Sequence, residues 1–207
     1  MSGRTAADRL AAHALGTDLS DLSTDARESV DDHLVDWVGL VLGGEAVAES
    51  SPSVVDAVDA LTAGADEAGA TVLPTGERVA TDRAALLNGT FAHSLDFDDT
   101  HRASSLHPGA PVIAAALAVA ETENADPDEL RAAVAVGYDV ACAVGRAVTP
   151  EAHYARGFHI TATCGTFGAT AAAGRLRGLA EAELASAFGV NGSQAAGSLQ
   201  FLENGAW

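Results

Sequence analysis

One stretch of the sequence, residues 111–120 (PVIAAALAVA), is apolar on every side of the helix that it would form. A helix without a polar face has to be buried all round, because it offers water only apolar surface. The stretch is too short to span a membrane, which takes about 20 apolar residues. Its alanines also leave room for neighbouring helices to approach closely. We therefore predict a central buried helix that the rest of the chain surrounds.

Helix-forming residues continue along the whole chain. Roughly a fifth of the residues are alanine, the best helix former, and only 5% are aromatic. Prolines follow Ser51, His107 and Asp126, where the first turn of a helix tolerates them, and Asp126 with Glu129 has capping-box spacing. The predicted helices cover residues 5–15, 25–42, 53–63, 82–96, 108–123, 127–148, 164–177 and 181–200.

The remaining segments are short. Residues 70–73 and 77–79 have strand-like composition on either side of a Pro-Thr-Gly turn, and residues 64–69 and 149–156 are predicted surface loops. Neither loop is long enough to separate domains. The predicted fold class is all-α: one domain over residues 1–207, a bundle of about eight helices with at most a short β-hairpin.

Acidic residues dominate the charge balance. The 29 Asp and Glu face 11 basic residues, all of them arginine, which gives a formal net charge of −18. Such a surface repels nucleic acids and anionic membranes, which bind clustered Lys and Arg. The sequence shows no secretory signal, and its two cysteines cannot build a disulfide framework. We expect a salt-adapted cytoplasmic protein that binds neither nucleic acid nor membranes.

Three histidines and three aspartates fall within residues 93–107 of an otherwise weakly polar chain. If the preceding helix continues, His93, Asp96 and Thr100 share one helical face, and His107 stands just before the central helix. The start of a helix favours anions, and imidazole exchanges protons near neutral pH. The segment is therefore a candidate site, although a simple helix cap, with Asp98 and Asp99 satisfying backbone donors, remains open.

A second polar segment begins at Arg156 and His159 and runs into the small-residue segment 163–178. A basic residue, an imidazole and several hydroxyls before a helix suit anion binding, but the same composition is found in ordinary loops. Cys142 is interpreted as core packing, and the chain has no phosphate-binding loop and no lysine. A metal site in the His/Asp cluster, as in a metal-dependent hydrolase, is the competing interpretation, although His93 and His101 lack helical ligand spacing.

Several motifs together resemble the MmgE/PrpD family. They are LNGTFAHSLDFDDTH at 87–101, HPGA at 107–110, GYDV at 137–140, GFH at 157–159, GTFGA at 165–169, AAG at 195–197 and ENGAW at 203–207. The motifs run the length of the chain in the family's order and spacing. The resemblance implies the helical domain of that family, in a homodimer.

The resemblance also implies proton chemistry on small di- and tricarboxylates without a metal or organic cofactor. Members include 2-methylcitrate dehydratase, cis-aconitate decarboxylase and an iminodisuccinate epimerase. By matched motif position, the catalytic residues are Asp96, Thr100, His107 and His159. Asp96 and Thr100 would act as positioning groups in the site, and the two histidines would bind carboxylates of the substrate or transfer protons. The positive charge that such a substrate needs makes Arg156 and His101 candidate substrate-binding residues.

The family pattern further includes a catalytic lysine and an α/β lid, and this sequence shows neither. The leading expectation is a lyase of the 2-methylcitrate dehydratase type that is incomplete as this chain. The alternatives are a split enzyme that needs a complementary C-terminal chain, and a helical dimerisation module without activity. Decarboxylation or epimerisation at the same site is equally compatible with the motifs.

The charge predicts that the stability of the protein depends on salt. The Debye length falls from about 10 Å at 0.1 M salt to about 3 Å at 1 M, so salt weakens repulsion among the carboxylates. We expect the Tm, followed by circular dichroism, to rise steadily between 0.1 and 2 M NaCl. A Tm that does not change over this range would contradict salt adaptation.

Overall fold

The computed structural model describes residues 3–62 and 69–200, and these form an α-helical bundle with one small hairpin. The elements are α1 (Ala6–Gly16), a 3-10 turn (Leu19–Asp21), α2 (Thr24–Val47), α3 (Ser51–Thr62), β1 (Ala70–Val72), β2 (Glu77–Val79), α4 (Thr81–His93), α5 (Gly109–Glu123), α6 (Pro127–Ala147), α7 (Pro150–Tyr154), α8 (Ile160–Leu176) and α9 (Glu181–Gln194). The predicted all-α class is confirmed. The antiparallel hairpin pairs Ala70 with Val79 and Val72 with Glu77.

Helix α5 is the predicted central helix. Most of its residues are buried, Val112 and Ile113 completely, and it packs against α4, α6 and α8. The largest core cluster joins it to α2 through Trp37 and Val41. Among the described helices, none is both long and apolar enough to cross a membrane.

Local signals account for several helix boundaries. Asp126 and Glu129 form the predicted capping box at the start of α6, with Pro127 in the first turn. The left-handed backbone of Asn124 ends α5, as is usual for a residue just beyond a helix. These two boundaries leave only a short turn between α5 and α6.

Several predicted boundaries were wrong, among them the end of α2, which lies at Val47 and not at 42. Helix α4 ends at His93 and not at 96, because the backbone turns out of the helix and Asp96 adopts a φ of 54°. Helix α8 begins at Ile160 and not at 164, α9 ends at Gln194 and not at 200, and the predicted loop 149–156 contains α7. Most of the predicted loop 64–69, and the motif at 203–207, lie outside the described residues.

Helices α6 and α8 are held in close contact by two glycines. A methyl group added at Gly168 would overlap the carbonyl oxygen of Gly137 and stand 2.8 Å from the Cβ of Ala141. A methyl added at Gly137 would stand 2.5 Å from a methyl of Val112 on α5. The contact therefore fixes how α8 lies against both α6 and the central helix.

The glycine contact predicts that Gly168→Ala destabilises the protein. Overpacking a close helix contact costs about 1–3 kcal/mol, which outweighs the better helix propensity of alanine. Gly189→Ala is the matched control, since Gly189 lies in α9 with no atom within 4 Å of an added Cβ. We expect urea unfolding to show a loss for Gly168→Ala and a gain of up to about 1 kcal/mol for Gly189→Ala. Equal effects would contradict the close contact.

Candidate active site

The segment between α4 and α5 places the clustered histidines and aspartates. It leaves α4 after His93 and is folded back by a bridge between His101 and Leu106. The Asp99 carboxylate accepts a hydrogen bond of 3.0 Å from the Gly109 backbone N–H at the start of α5. This bond satisfies a backbone donor that the first turn of a helix leaves without an intrahelical partner. The segment therefore places His107 just before the start of α5 and beside His93.

A buried carboxylate, Asp98, stands between two imidazoles. Its side chain is 1% exposed, and its two oxygens lie 2.9 and 3.0 Å from Nδ1 of His93. Nδ1 of His107 lies 3.2 Å from one of these carboxylate oxygens and also 3.2 Å from the backbone carbonyl oxygen of Asp98. The rings of His93 and His107 are 5.1 Å apart. Asp98 thus orients both imidazoles at once.

A third imidazole comes from the start of α8. His159 is the N-cap residue of that helix, and its backbone N–H donates to the carbonyl of Gly197 at 2.9 Å. Its ring stacks on that of His93, with centroids 5.9 Å apart. The buried Thr161 ties the two segments together, because its hydroxyl accepts a 3.1 Å hydrogen bond from the backbone N–H of His107.

The three imidazoles line one pocket of about 900 Å³. Asp96 stands beside them, largely exposed, with a carboxylate oxygen 3.7 Å from Nε2 of His107. The hydroxyls of Ser94, Thr161 and others add polar groups to this end. The rest of the wall is mainly apolar and is formed by Val54, Ala85, Leu86, Gly89, Ala110, Pro111, Ala114, Ala115, Ala162 and Leu199. None of the described residues that line the pocket is an arginine.

The structure brings together three of the six predicted site residues. Asp96, His107 and His159 line the pocket, and the contacts through His93 limit the separation of the His107 and His159 rings to about 11 Å. Thr100 is not in the lining, but its hydroxyl lies 3.4 Å from Nδ1 of His107. It does not share a helical face with His93 and Asp96, because α4 ends before it.

The two predicted substrate-binding residues lie elsewhere. His101 is not among the lining residues, and its Nδ1 is 2.6 Å from the hydroxyl of Ser104. Arg156 is exposed in the turn between α7 and α8 and also lies outside the lining.

Sequence reasoning did not single out His93 and Asp98 as site residues. Both stood in the polar cluster, but a helix continuing to 96 pairs His93 with Asp96 and leaves Asp98 on another face. The signal that could have found them is the five-residue spacing, which joins His93 and Asp98 once the helix ends between them.

The surroundings shift the pKa values of the site residues in different directions. Burial alone would raise the pKa of Asp98, but hydrogen bonding and charge from His107 and His93 lower it to about 2. The Asp98 carboxylate in turn raises the pKa of His107 above its ordinary value, against the opposing effect of burial. Burial, together with the charges of His93 and His107, lowers the pKa of His159 to about 4. The pocket therefore holds one imidazole that favours the protonated form and one that is neutral at pH 7.

The same residues offer a possible set of metal ligands. One ligand atom from each of His93, Asp96, Asp98 and His107 lies within 4.8 Å of the others. Imidazole and carboxylate together suit Mn, Fe or Zn. In the structure the Nδ1 atoms of both histidines face Asp98, so hydrogen bonds already account for this arrangement.

Comparison with known proteins confirms the resemblance seen in the motifs. Residues 8–207 match the family model described as the MmgE/PrpD N-terminal domain. The cis-aconitate decarboxylase-like protein oryM of Aspergillus oryzae is 28% identical over 187 residues, which cover 86% of this chain and 38% of that protein. The chain thus spans less than half the length of this curated relative.

The shared carboxylate predicts that Asp98→Asn lowers the pKa of His107. The variant keeps the shape of the side chain but removes the negative charge that favours the imidazolium. An NMR titration of the histidine ring signals should show this fall. Asp139→Asn is the matched control, because Asp139 pairs with the exposed His13 on α1 and not with the pocket. An unchanged pKa of His107 in Asp98→Asn would contradict the assignment.

Proposed function

The chain belongs to the MmgE/PrpD family, and from this premise we propose that it provides the proton-transfer site of a lyase of the 2-methylcitrate dehydratase type. Its substrate would be a small di- or tricarboxylate, and no cofactor would take part. The observation that carries the proposal is one pocket holding imidazoles whose pKa values are shifted in opposite directions. When the surroundings shift the pKa values of two imidazoles in opposite directions, one can act as the acid and the other as the base.

The proposed reaction removes water across a carbon–carbon bond. His159, neutral at pH 7, accepts the proton from the carbon next to a carboxylate, and the electron pair of that bond forms the double bond. His107, whose imidazolium form Asp98 stabilises, gives its proton to the departing hydroxyl, which leaves as water. A bound carboxylate favours protonated imidazole, so binding raises the pKa of His159 towards the range where a general base works well.

The same imidazoles supply the positive charge that the substrate needs. No arginine lines the described pocket, so the carboxylates of the substrate would bind the imidazoles of His93 and His107. The first turns of α5 and α8 also reach the pocket through Ala110 and Thr161, and helix starts favour anions. Asp96 at the mouth and Thr100 behind His107 act as positioning groups in this scheme.

The test is turnover of citrate, 2-methylcitrate and cis-aconitate followed by NMR, with the chain alone and together with a complementary C-terminal chain. We expect loss of water from 2-methylcitrate, and a fall of about 10²–10⁴-fold in kcat for His107→Gln and for His159→Gln. His13→Gln is the control, because His13 is exposed on α1 and pairs with Asp139. Turnover that survives both pocket variants would overturn the assignment.

Two other activities have a specific observation in their favour. The name of the Aspergillus oryzae relative favours decarboxylation, which would release carbon dioxide from cis-aconitate and is visible in the same assay. The four clustered ligand atoms favour a metal-dependent hydrolase. Stoichiometric Mn, Fe or Zn in the purified protein, with activity lost on chelation and restored by the metal, would decide for the hydrolase. Absence of turnover even with the complementary chain would leave a helical module without activity.

A further inference from the structure

Asp99 follows the buried Asp98 in the chain but contacts a different set of groups. The carboxylate of Asp98 faces the imidazoles of His93 and His107. The carboxylate of Asp99 instead accepts the hydrogen bond from the backbone N–H of Gly109. The Asp99 side chain is 14% exposed and is not among the described residues that line the pocket. Any effect of Asp99 on the site therefore has to pass through other residues.

The turn from His107 to Gly109 is fixed at both of its backbone donors. Proline has no N–H, so the turn offers only the N–H groups of its first and last residues. The N–H of His107 donates to the hydroxyl of Thr161 on α8 at 3.1 Å. The N–H of Gly109 donates to Oδ1 of Asp99 at 3.0 Å. Pro108 between them is fully buried, and its φ of −73° is the value that the proline ring imposes.

A close contact holds the Asp99 carboxylate against the start of α5. A methyl group added at Gly109 would stand 2.5 Å from Oδ1 of Asp99 and 2.8 Å from the hydroxyl oxygen of Tyr138. Carbon atoms in good contact are about 3.5–4.0 Å apart, so these two oxygens leave no room for a side chain at position 109. Any residue other than glycine there would push the carboxylate away from the N–H group that it binds.

A further helix contacts the second oxygen of the same carboxylate. Nδ1 of His33, on α2, lies 3.7 Å from Oδ2 of Asp99, which is close enough for an ion pair when the imidazole is protonated. The ring of His33 also packs against that of Tyr138, with centroids 5.3 Å apart, and Tyr138 belongs to α6. Asp99 thus lies among groups from α2, α5 and α6.

We propose that Asp99 is a positioning residue of this site, which fixes the start of α5 and through it the imidazole of His107. The inference rests on the proposed function, in which His107 gives its proton to the departing hydroxyl. Proton transfer needs heavy atoms about 2.6–3.2 Å apart, and a misplacement of about 1 Å can cost about 10²-fold in rate. The acceptor oxygen Oδ1 carries this role, since it is the atom that binds the N–H of Gly109.

The first experiment measures kcat and KM for 2-methylcitrate, with the chain alone and with the complementary C-terminal chain. Asp99→Ala removes the acceptor and should lower kcat about 10–100-fold, by a larger factor than it raises KM. Asp99→Asn keeps an oxygen for the N–H of Gly109 and should restore kcat to within a few-fold of wild type. Gly109→Ala displaces the carboxylate without altering it and should resemble Asp99→Ala.

Asp126→Ala is the matched control, because Asp126 also caps a helix with its carboxylate. It accepts hydrogen bonds of 2.9 Å from the backbone N–H groups of Asp128 and Glu129 at the start of α6, and it is not among the described lining residues. Its variant should lose stability and keep kcat. The double variant of Asp99→Ala with His107→Gln should have the kcat of His107→Gln alone, because a residue that acts through His107 then has no further effect.

The second experiment uses NMR on the 207-residue chain and needs no turnover. The Gly109 amide should exchange its hydrogen at least about ten-fold faster in Asp99→Ala than in wild type, because a hydrogen bond to a charged group is lost. The NOEs between the rings of His93 and His107, 5.1 Å apart, should lose intensity in the same variant. Asp99→Asn and Asp126→Ala should keep both signals.

Equal losses in Asp99→Asn and Asp99→Ala, in kcat or by NMR, would overturn the positioning role of the acceptor oxygen. An unchanged His107 ring in Asp99→Ala would also overturn it, and so would additive losses in the double variant. Where Asp99→Ala fails to fold, Gly109→Ala decides the same question. Absence of turnover in the wild type, with the NMR changes as expected, would overturn the proposed function and leave the placement of His107 by Asp99 standing.

Discussion

A single buried carboxylate organises the polar end of the pocket. Asp98 is almost fully removed from water, and an ionised carboxylate in that position is stable only when it is paired. His93 and His107 provide that pairing from opposite ends of the segment between α4 and α5. The buried negative charge of Asp98 therefore fixes the positions of both imidazoles. The third imidazole, His159, is placed by the start of α8 and stacks on His93.

The bundle could be predicted well from the sequence because its signals are local. An apolar stretch at 111–120 specifies a buried helix, and Asp126 with Pro127 specifies a helix start. The end of α4 could not be read in this way. Composition lets the helix continue past His93, and only the left-handed backbone of Asp96, together with the burial of Asp98, shows that it stops. That single boundary decided which aspartate meets which histidine.

The structure brings the predicted residues His107, His159 and Asp96 to one pocket, and it does not bring His101 and Arg156 there. Two of these residues stand at helix starts, since His107 precedes α5 and His159 caps α8. Arg156 and His101 lie in turns, where the direction of a side chain depends on tertiary contacts such as the His101–Leu106 bridge. Charge complementarity alone could not predict those directions.

The hydrogen bond between His107 and Thr161 has a consequence for the order in which the site is assembled during folding. The partners Asp98 and His93 are separated by 5 residues, whereas His107 and Thr161 are separated by 54. Closing the longer loop costs more chain entropy and has to wait until α5 and α8 have docked. The paired imidazoles can thus form as a local unit, while the stacked His159 joins them only when α8 docks. A partly folded chain would hold its buried charge without yet having a pocket.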